Sequence, residues 1–488
     1  MAGIGNRTAI LTLSRLANYG LMLISPVILV RLLTVEQFGR YREFLLYASV
    51  LQVIAVFSIN DSLLYCIPAQ PASRWRTVRQ TAVLIACSSL LTVAGFAALD
   101  RASGGELVGS LLWPICLYTL FCANLDFWDF FWVATDRPGL IFVYTSLRLA
   151  ARVGVAVVTA ALTHEVSAII WALIALEALR VTGAAVIMLA AGHGTAEPPL
   201  RDPWREQLRY CVPSGTASVL SMLNRNLSGI VVAKALGAVA LAQYSIGKFG
   251  EPVVVTLRNS VSAVVLPEMV LRDRSSRAES LELWKRATVV NTILLFPVVV
   301  IVERFARPLV EAVFGHDYAP AALVLQIYML GVVRECFDFA PALRARNRTR
   351  PLVASNLASL AACAAMLAIL IPAGGGVAGA MAAVVLGMTM DGAWLAWATK
   401  RHFGVKLGEL IPWGSAGRVA LAAVIAAAVL ATSAWRETFG PGGMALASVA
   451  YLAAFGLLLL ALRVPEAYAL LAWARRLVPS LSTASRKV

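Results

Sequence analysis

The chain has 488 residues, 59% of them hydrophobic, with a formal net charge of +15 and a mean hydropathy of +0.76. A soluble protein of this length would expose too much of that apolar surface, so the composition excludes a soluble globular protein and predicts an all-α polytopic membrane protein. A hydrocarbon core of roughly 30 Å needs about 20 apolar residues in helical form.

About fourteen stretches meet that length. In chain order they are Thr8–Arg31, Glu43–Ile67, Val78–Leu99, Leu107–Thr135, Gly139–Leu162 and Val166–Gly192. Then come Tyr210–Ala233, Ala240–Val270, Leu283–Ile301, Ala321–Leu343, Pro351–Ile371 and Val377–Lys400, and finally Trp413–Ala434 and Met444–Leu462. The runs are too long and too continuously apolar for barrel strands, which alternate over about ten residues. The first run holds Arg15 and lacks an A-x-A-like cleavage site, so it reads as a span and not as a signal peptide.

Placing the N-terminus in the cytoplasm puts Arg74, Arg76, Arg79, Arg137, Arg201, Arg205, Arg209 and the dense run Arg344, Arg346, Arg348, Arg350 on the inside. The tally is about 25 basic residues inside against about 8 outside, so the positive-inside rule predicts an even number of spans with both termini cytoplasmic. The net charge is then a cytoplasmic girdle facing anionic headgroups, with no need of a nucleic-acid partner.

Polar connections are short, about 15 residues at most. There is no G-x-x-x-x-G-K-[ST] phosphate cradle, which argues against ATP-driven transport within this chain. One G-x-G-x-x-G, at Gly374, Gly376 and Gly379, lies between two spans and reads as a tight turn opening a helix. The cysteines make no C-x-x-C, and His164, His193, His316 and His402 lie in separate loops, so no metal site and no cofactor are expected. The N-x-[ST] matches at Asn6, Asn60, Asn226 and Asn347 fall in cytoplasmic segments or spans, out of reach of glycosylation.

A repeat is visible at an offset of about 203 residues: Arg31, Leu33 and Tyr41 recur as Lys234, Leu236 and Tyr244, each set following a helix of the same direction. Six-helix halves in one orientation imply an approximate axis along the membrane normal, with substrate between them.

The stretch from Arg31 to Tyr41, R-L-L-T-V-E-Q-F-G-R-Y, resembles the R-L-L-x-x-x-x-F-G-x-Y that follows helix 1 in Wzx-type polysaccharide flippases of the multidrug/oligosaccharidyl-lipid/polysaccharide exporter superfamily. Gln243, Tyr244 and Ser245 running into Pro252, Pro267 and Glu268, and the Leu309–Ala319 stretch with its F-G-x-x-Y, are similar to that family's helix 8 and its approach to helix 10. Helix count, topology and repeat offset fit along the whole chain. The resemblance implies two six-helix lobes around a central cavity, residues 1–200 and 201–405, with 406–488 as helices 13 and 14 and a cytoplasmic tail. It implies a bacterial inner-membrane flippase, moving a polyprenyl-diphosphate-linked oligosaccharide to the periplasmic leaflet by alternating access for lipopolysaccharide or exopolysaccharide synthesis. Partners would be the lipid-linked oligosaccharide, membrane lipids, and a polysaccharide polymerase with its chain-length machinery.

Charges inside spans are costly and usually face a bundle interior or an aqueous cavity. Arg148 and Arg152, four apart, share one helix face near mid-bilayer, and Arg180 lies at similar depth on the next span. With Arg15 and Arg225 they form the candidate substrate-binding set, because guanidiniums bind phosphate oxygens bidentately. The competing reading pairs each with a neighbouring acid. Glu177 with Arg180, Lys248 with Glu251, and Arg334 with Asp338 have salt-bridge spacing.

Asp126 and Asp129 sit three apart among aromatics, as expected for one face of helix 4, and with the lone acid Asp391 they are the candidate ion-coupling residues. The bland alternative is an interfacial aromatic belt whose acids pair with Arg137 or Arg148. A lipid II flippase of the same superfamily would share these features. A drug exporter would favour an acidic pocket, and a polymerase or ligase enzyme would need a large outer loop or catalytic acids, where the first loop offers only Glu36 and Glu43.

Overall fold

A computed structural model describes residues 24–135, 137–192, 203–346, 348, 350–431, 434–469 and 471. Arg15, Asn6, His193, Asn347 and most of the first predicted span lie outside the described residues. Every regular element among those described is a helix. The chain divides into two compact units, 1–245 and 246–488.

The first unit runs α1 (24–32), α2 (Val35–Val56), α3 (Leu63–Ala69), α4 (Arg74–Ala102), α5 (Leu112–Ala123), α6 (Trp128–Ala134), α7 (Pro138–Thr163), α8 (Val166–Gly192) and nearly all of α9 (Pro203–Gly247). The second holds α10 (Glu251–Ser275), α11 (Arg277–Phe314), α12 (Ala321–Glu335), α13 (Ala340–Arg344), α14 (Arg350–Leu370), α15 (Gly376–Phe403), α16 (Leu407–Leu410), α17 (Trp413–Ala426), α18 (Ala428–Ala431) and α19 (Ala434–Ala461).

Ten stretches among the described residues are long and apolar enough to cross a bilayer. One of them, Trp204–Arg272, contains both the seventh and eighth predicted spans. The second and tenth predicted spans are each split, α2 from α3 and α12 from α13. Long apolar side chains such as Leu91 and Leu162 stay exposed on the helix surfaces, as a lipid-facing surface requires.

The repeat seen in the sequence recurs as a pattern of breaks. The chain leaves helical geometry at Thr34 between α1 and α2, and at Gly237 (φ 83°) within α9, the same offset apart. The next span of each half is broken again, at 57–62 and at 248–250. The fourth span of each half breaks at an aspartate, Asp126 between α5 and α6 and Asp338 between α12 and α13.

The motif residues explain themselves in packing. Thr34 caps α2: its hydroxyl accepts from the Gln37 amide at 3.3 Å, while the Thr34 amide donates to the Gln37 side chain at 3.1 Å. Gln37 then donates to the His164 carbonyl at 2.9 Å, tying α2 to the α7–α8 turn. Gly39 lies against α9, where a Cβ would fall 2.0 Å from the Ala238 carbonyl oxygen, so backbone meets backbone and only glycine fits. Phe38 and Tyr41 are buried beside it. The F-G-x-x-Y motif ends α11: Phe314 packs edge-on against Phe249, Gly315 takes φ 105°, and Tyr318 is buried. Gly374 and Gly376, both at positive φ, make the turn from α14 to α15, as the sequence reading expected of that glycine motif.

In the second unit α11 packs against α10, α12, α17 and α19. Small residues of α17 (Val419, Ala422, Ala423) admit Tyr451 and Phe455 of α19, which closes the C-terminal helices onto α11.

Candidate functional site: an arginine cluster at a broken helix

A helix broken inside the membrane exposes backbone groups that lipid cannot satisfy, so the protein must satisfy them itself. The α5–α6 break shows how. α5 ends at Ala123, and Leu125 turns the chain with φ 50°. Arg180 on α8 reaches into the break. Its guanidinium donates to the carbonyls of Phe121 (2.6 Å), Cys122 (3.2 Å), Asn124 (3.0 Å) and Leu125 (3.0 Å). Asn124 also donates to Ser89 on α4 at 2.9 Å. The neighbouring α2–α3 break is tied to this one, because Asn60 donates to the Asp126 carbonyl at 3.1 Å.

The break corrects one expectation. Asp126 and Asp129 do not share a helix face: Asp126 lies in the break and Asp129 in the first turn of α6. No glycine or proline marks the kink, which is why continuous apolar patterning concealed it.

Around the break lies an ionic cluster. Arg148 donates to Asp126 in a charge-assisted bond, and its other terminal nitrogen lies 3.8 Å from Glu177. Arg152 donates to Glu177 at 2.6 Å and to the Cys122 sulfur at 3.0 Å, and its guanidinium stands over the Tyr118 ring. Arg180 donates to the other Glu177 oxygen at 2.6 Å. Glu177 is almost fully buried, its side chain 1% exposed, and it is the hub of three arginines. Three guanidiniums share two carboxylates in these ion pairs, and Asp129 is a third carboxylate within electrostatic reach of Arg148. Asp129 has one buried carboxylate oxygen without a hydrogen-bond donor.

The structure thus brings Arg148, Arg152, Arg180 and Asp126 together, with Asp129 one short turn away. Arg225 is exposed on α9 and enters none of these ion pairs. Arg15 lies outside the described residues. Asp391, in the second unit, bonds Arg334, which also donates to Glu335 at 3.1 Å. Glu335 in turn accepts from Arg258, and Asp338 accepts from Ser262 at 2.6 Å. The Glu177–Arg180 and Lys248–Glu251 pairs form at the expected spacing, whereas Arg334 bonds Asp391 and Glu335 in place of Asp338. Sequence reasoning missed the role of the Phe121–Leu125 carbonyls. Its only trace was an asparagine, Asn124, in an otherwise apolar run.

Among the described residues no group of histidine, cysteine and carboxylate side chains could hold a metal ion. Residues 139–323 match the model of a family described as "Polysaccharide biosynthesis protein". The matched region contains Arg148, Arg152, Glu177 and Arg180. Comparison with curated proteins found no match.

Among solved structures the chain is similar to "Lipid II flippase MurJ, inward closed conformation", at 12% identity and TM-score 0.70, covering 93% of this chain and 97% of that one. It is similar to an inward-facing multidrug resistance MATE family transporter of the MOP superfamily at 13% identity and TM-score 0.53, over 79% of this chain and 94% of that one. An outward-facing structure described in the same terms matches at 14% identity and TM-score 0.51, over 82% and 96%. The chain therefore has the all-helical fold of that superfamily, the multidrug/oligosaccharidyl-lipid/polysaccharide exporters.

Proposed function

We propose that this chain is a flippase that carries a polyprenyl-diphosphate-linked oligosaccharide from the cytoplasmic to the periplasmic leaflet of a bacterial inner membrane, for cell-surface polysaccharide synthesis. The observation that carries the reading is a cluster of three guanidiniums, set inside spans, within the very segment that matches the polysaccharide biosynthesis family. Planar, bidentate donors match phosphate oxygens, and a diphosphate offers several of them. Arg148 and Arg152 are the proposed diphosphate ligands, and Arg15 and Arg225 are proposed to contact the same substrate along its path. Arg180, occupied by backbone carbonyls, is proposed to position the cluster. Six-helix halves, residues 1–200 and 201–405, would exchange access, with 406–488 as the added helical pair and tail, and both termini cytoplasmic. A polymerase with its chain-length machinery would receive the product. Likeness in fold to MurJ favours lipid II as a second substrate to test.

The measurement is leaflet redistribution of a fluorescent lipid-linked oligosaccharide in proteoliposomes, with lipid II as competitor. Arg148→Ala and Arg152→Ala should each weaken substrate affinity roughly ten- to hundred-fold, the loss of one charge-assisted hydrogen bond at about 1.5–3 kcal/mol. Lysine should rescue only in part, because it lacks the planar fork. Wild-type redistribution by a normally folded double alanine variant would refute the assignment, and covalent turnover of the lipid would refute a flippase.

Coupling is proposed to involve Asp126, Asp129 and Asp391. Asp129 is the acid whose buried oxygen has no donor, so it can change partner at least cost. Replacing Asp126 and Asp129 together by asparagine should abolish the dependence of redistribution on an ion gradient. Unchanged gradient dependence would assign the pair to structure alone.

A further inference from the structure

The first unit holds a second feature, beside the arginine cluster, to which the flippase reading gives no ligand. A cavity of about 550 Å³ lies between the start of α4, α6, the α6–α7 joint and α8. Its walls are aromatic: Trp132 packs edge-on against Tyr144 at 5.2 Å, and Trp128 stands 6.1 Å from Trp132. Trp75, held against Phe131 at 5.4 Å, closes the α4 side. Arg74 and Arg137, both exposed, line the cavity at the N-terminal ends of α4 and α7. That is the end of the unit where the arginine-rich connections gather, since Gln80 on α4 donates to Gln207 at the start of α9 at 2.7 Å. On the α8 side the wall runs out through Leu179 and Ile187, which are 72% and 59% exposed and face where lipid chains would lie.

Each element of this geometry selects for an amphiphile. Two arginines and two helix N-termini put positive charge at one edge. None of the described residues that line the cavity is a carboxylate, and Arg180 adds a third guanidinium to its wall. The aromatic and aliphatic walls open sideways toward the bilayer. An oligosaccharide is a poor occupant, because the lining also offers no side-chain amide, and Thr135 already donates its hydroxyl to the Phe131 carbonyl. Sugar hydroxyls would find few acceptors. The volume suits a ligand of moderate size inserted part-way.

We infer that this cavity is a binding site for an anionic glycerophospholipid of the surrounding leaflet, its phosphate on Arg74 and Arg137 and the upper part of its acyl chains between the tryptophans and α8. The lipid would brace α6, the short helix that follows the α5–α6 break. Arg180 both lines the cavity and bonds Glu177, whereas Arg148 and Arg152 do not line it, so the inference does not depend on the chain moving a saccharide.

The three cavity tryptophans provide the readout, in a full-length variant whose other nine tryptophans are replaced by phenylalanine. The full-length protein is placed in phosphatidylcholine vesicles, and a fixed fraction of the lipid is replaced by phosphatidylglycerol or phosphatidylcholine with brominated acyl chains, which quench tryptophan on contact. Brominated phosphatidylglycerol should quench more strongly, with an effective affinity roughly tenfold higher, since each arginine near the surface favours an anionic lipid several-fold. Gly183→Leu should abolish the difference. A Cβ at Gly183 meets nothing within 4 Å, so the leucine enters the cavity without disturbing α8. Arg74→Gln with Arg137→Gln should reduce the preference while leaving the fold intact, because both residues are exposed. Equal quenching by the two lipids, or a preference that survives in Gly183→Leu, overturns the inference. So does relief of quenching by a long-chain polyprenyl phosphate at far lower mole fraction than by unlabelled phosphatidylglycerol, which would make the carrier lipid the occupant.

Discussion

Arg180→Ala is expected to remove the folded protein from the membrane, not merely to lower its activity. One guanidinium accepts the whole task of satisfying the carbonyls of Phe121, Cys122, Asn124 and Leu125, and it also bonds Glu177. Without it, four acceptors at the end of α5 lose this donor in a region where lipid supplies none. Glu177 loses one of its two close donors at the same time. The cost of breaking such a buried charged network is about 3–5 kcal/mol, a large share of what most domains have in reserve. Arg180→Lys should recover little, because a point charge with three donors cannot span carbonyls that a planar fork reaches from two nitrogens. Membrane abundance and the melting temperature of detergent-purified protein are the readouts. An Arg180→Ala variant that is abundant and melts like wild type, but has lost saccharide transport, would move Arg180 from the scaffold into the substrate site.

The distinction between Arg180 and its neighbours was not legible before the structure. Sequence alone placed Arg148, Arg152 and Arg180 at one depth and saw that Arg180 stands one turn from Glu177. It could not see that Arg152 bonds Glu177 across 25 positions, or Arg148 bonds Asp126 across 22, since those pairs depend on how α7 and α8 pack on the broken span. The spans themselves were readable because hydrophobic length is a one-dimensional signal. The repeat was readable as a few identities at Arg31–Tyr41 and Lys234–Tyr244. Its cause, a paired set of helix breaks with Thr34 and Gly237 at equivalent places, needed backbone angles. The break at Asn124–Phe127 left almost no trace, because cross-helix hydrogen bonds, and not a glycine or proline, sustain it. Likewise Arg334 chose Asp391 over Asp338, which the local spacing favoured, once α12 packed on α15.

Glu177→Gln should be as damaging as the loss of Arg180, for the opposite reason. Glu177 is the buried anion that lets Arg148, Arg152 and Arg180 share one region of the membrane interior. Glutamine keeps the shape and removes the charge. Three guanidiniums then keep Asp126 as their one bonded carboxylate, and the new amide group presents donors to nitrogens that are themselves donors. An uncompensated buried charge of this kind costs about 3–5 kcal/mol, so abundance and melting temperature should both fall sharply. The same charge argument predicts a rescue. Glu177→Gln combined with Arg152→Gln restores the balance between cations and anions, and the two amides can bond one another. That double variant should regain abundance and thermal stability, yet still bind a lipid-linked diphosphate weakly, because Arg152 is a proposed ligand. A substrate with two or more negative charges should meanwhile stabilise wild type by binding the arginine cluster, raising its melting temperature in proportion to the logarithm of ligand concentration above Kd. Should Glu177→Gln fold and melt as wild type does, the three arginines must be balanced by some other anion, and the cluster would have to be read as a site held open for ligand instead of one closed by Glu177.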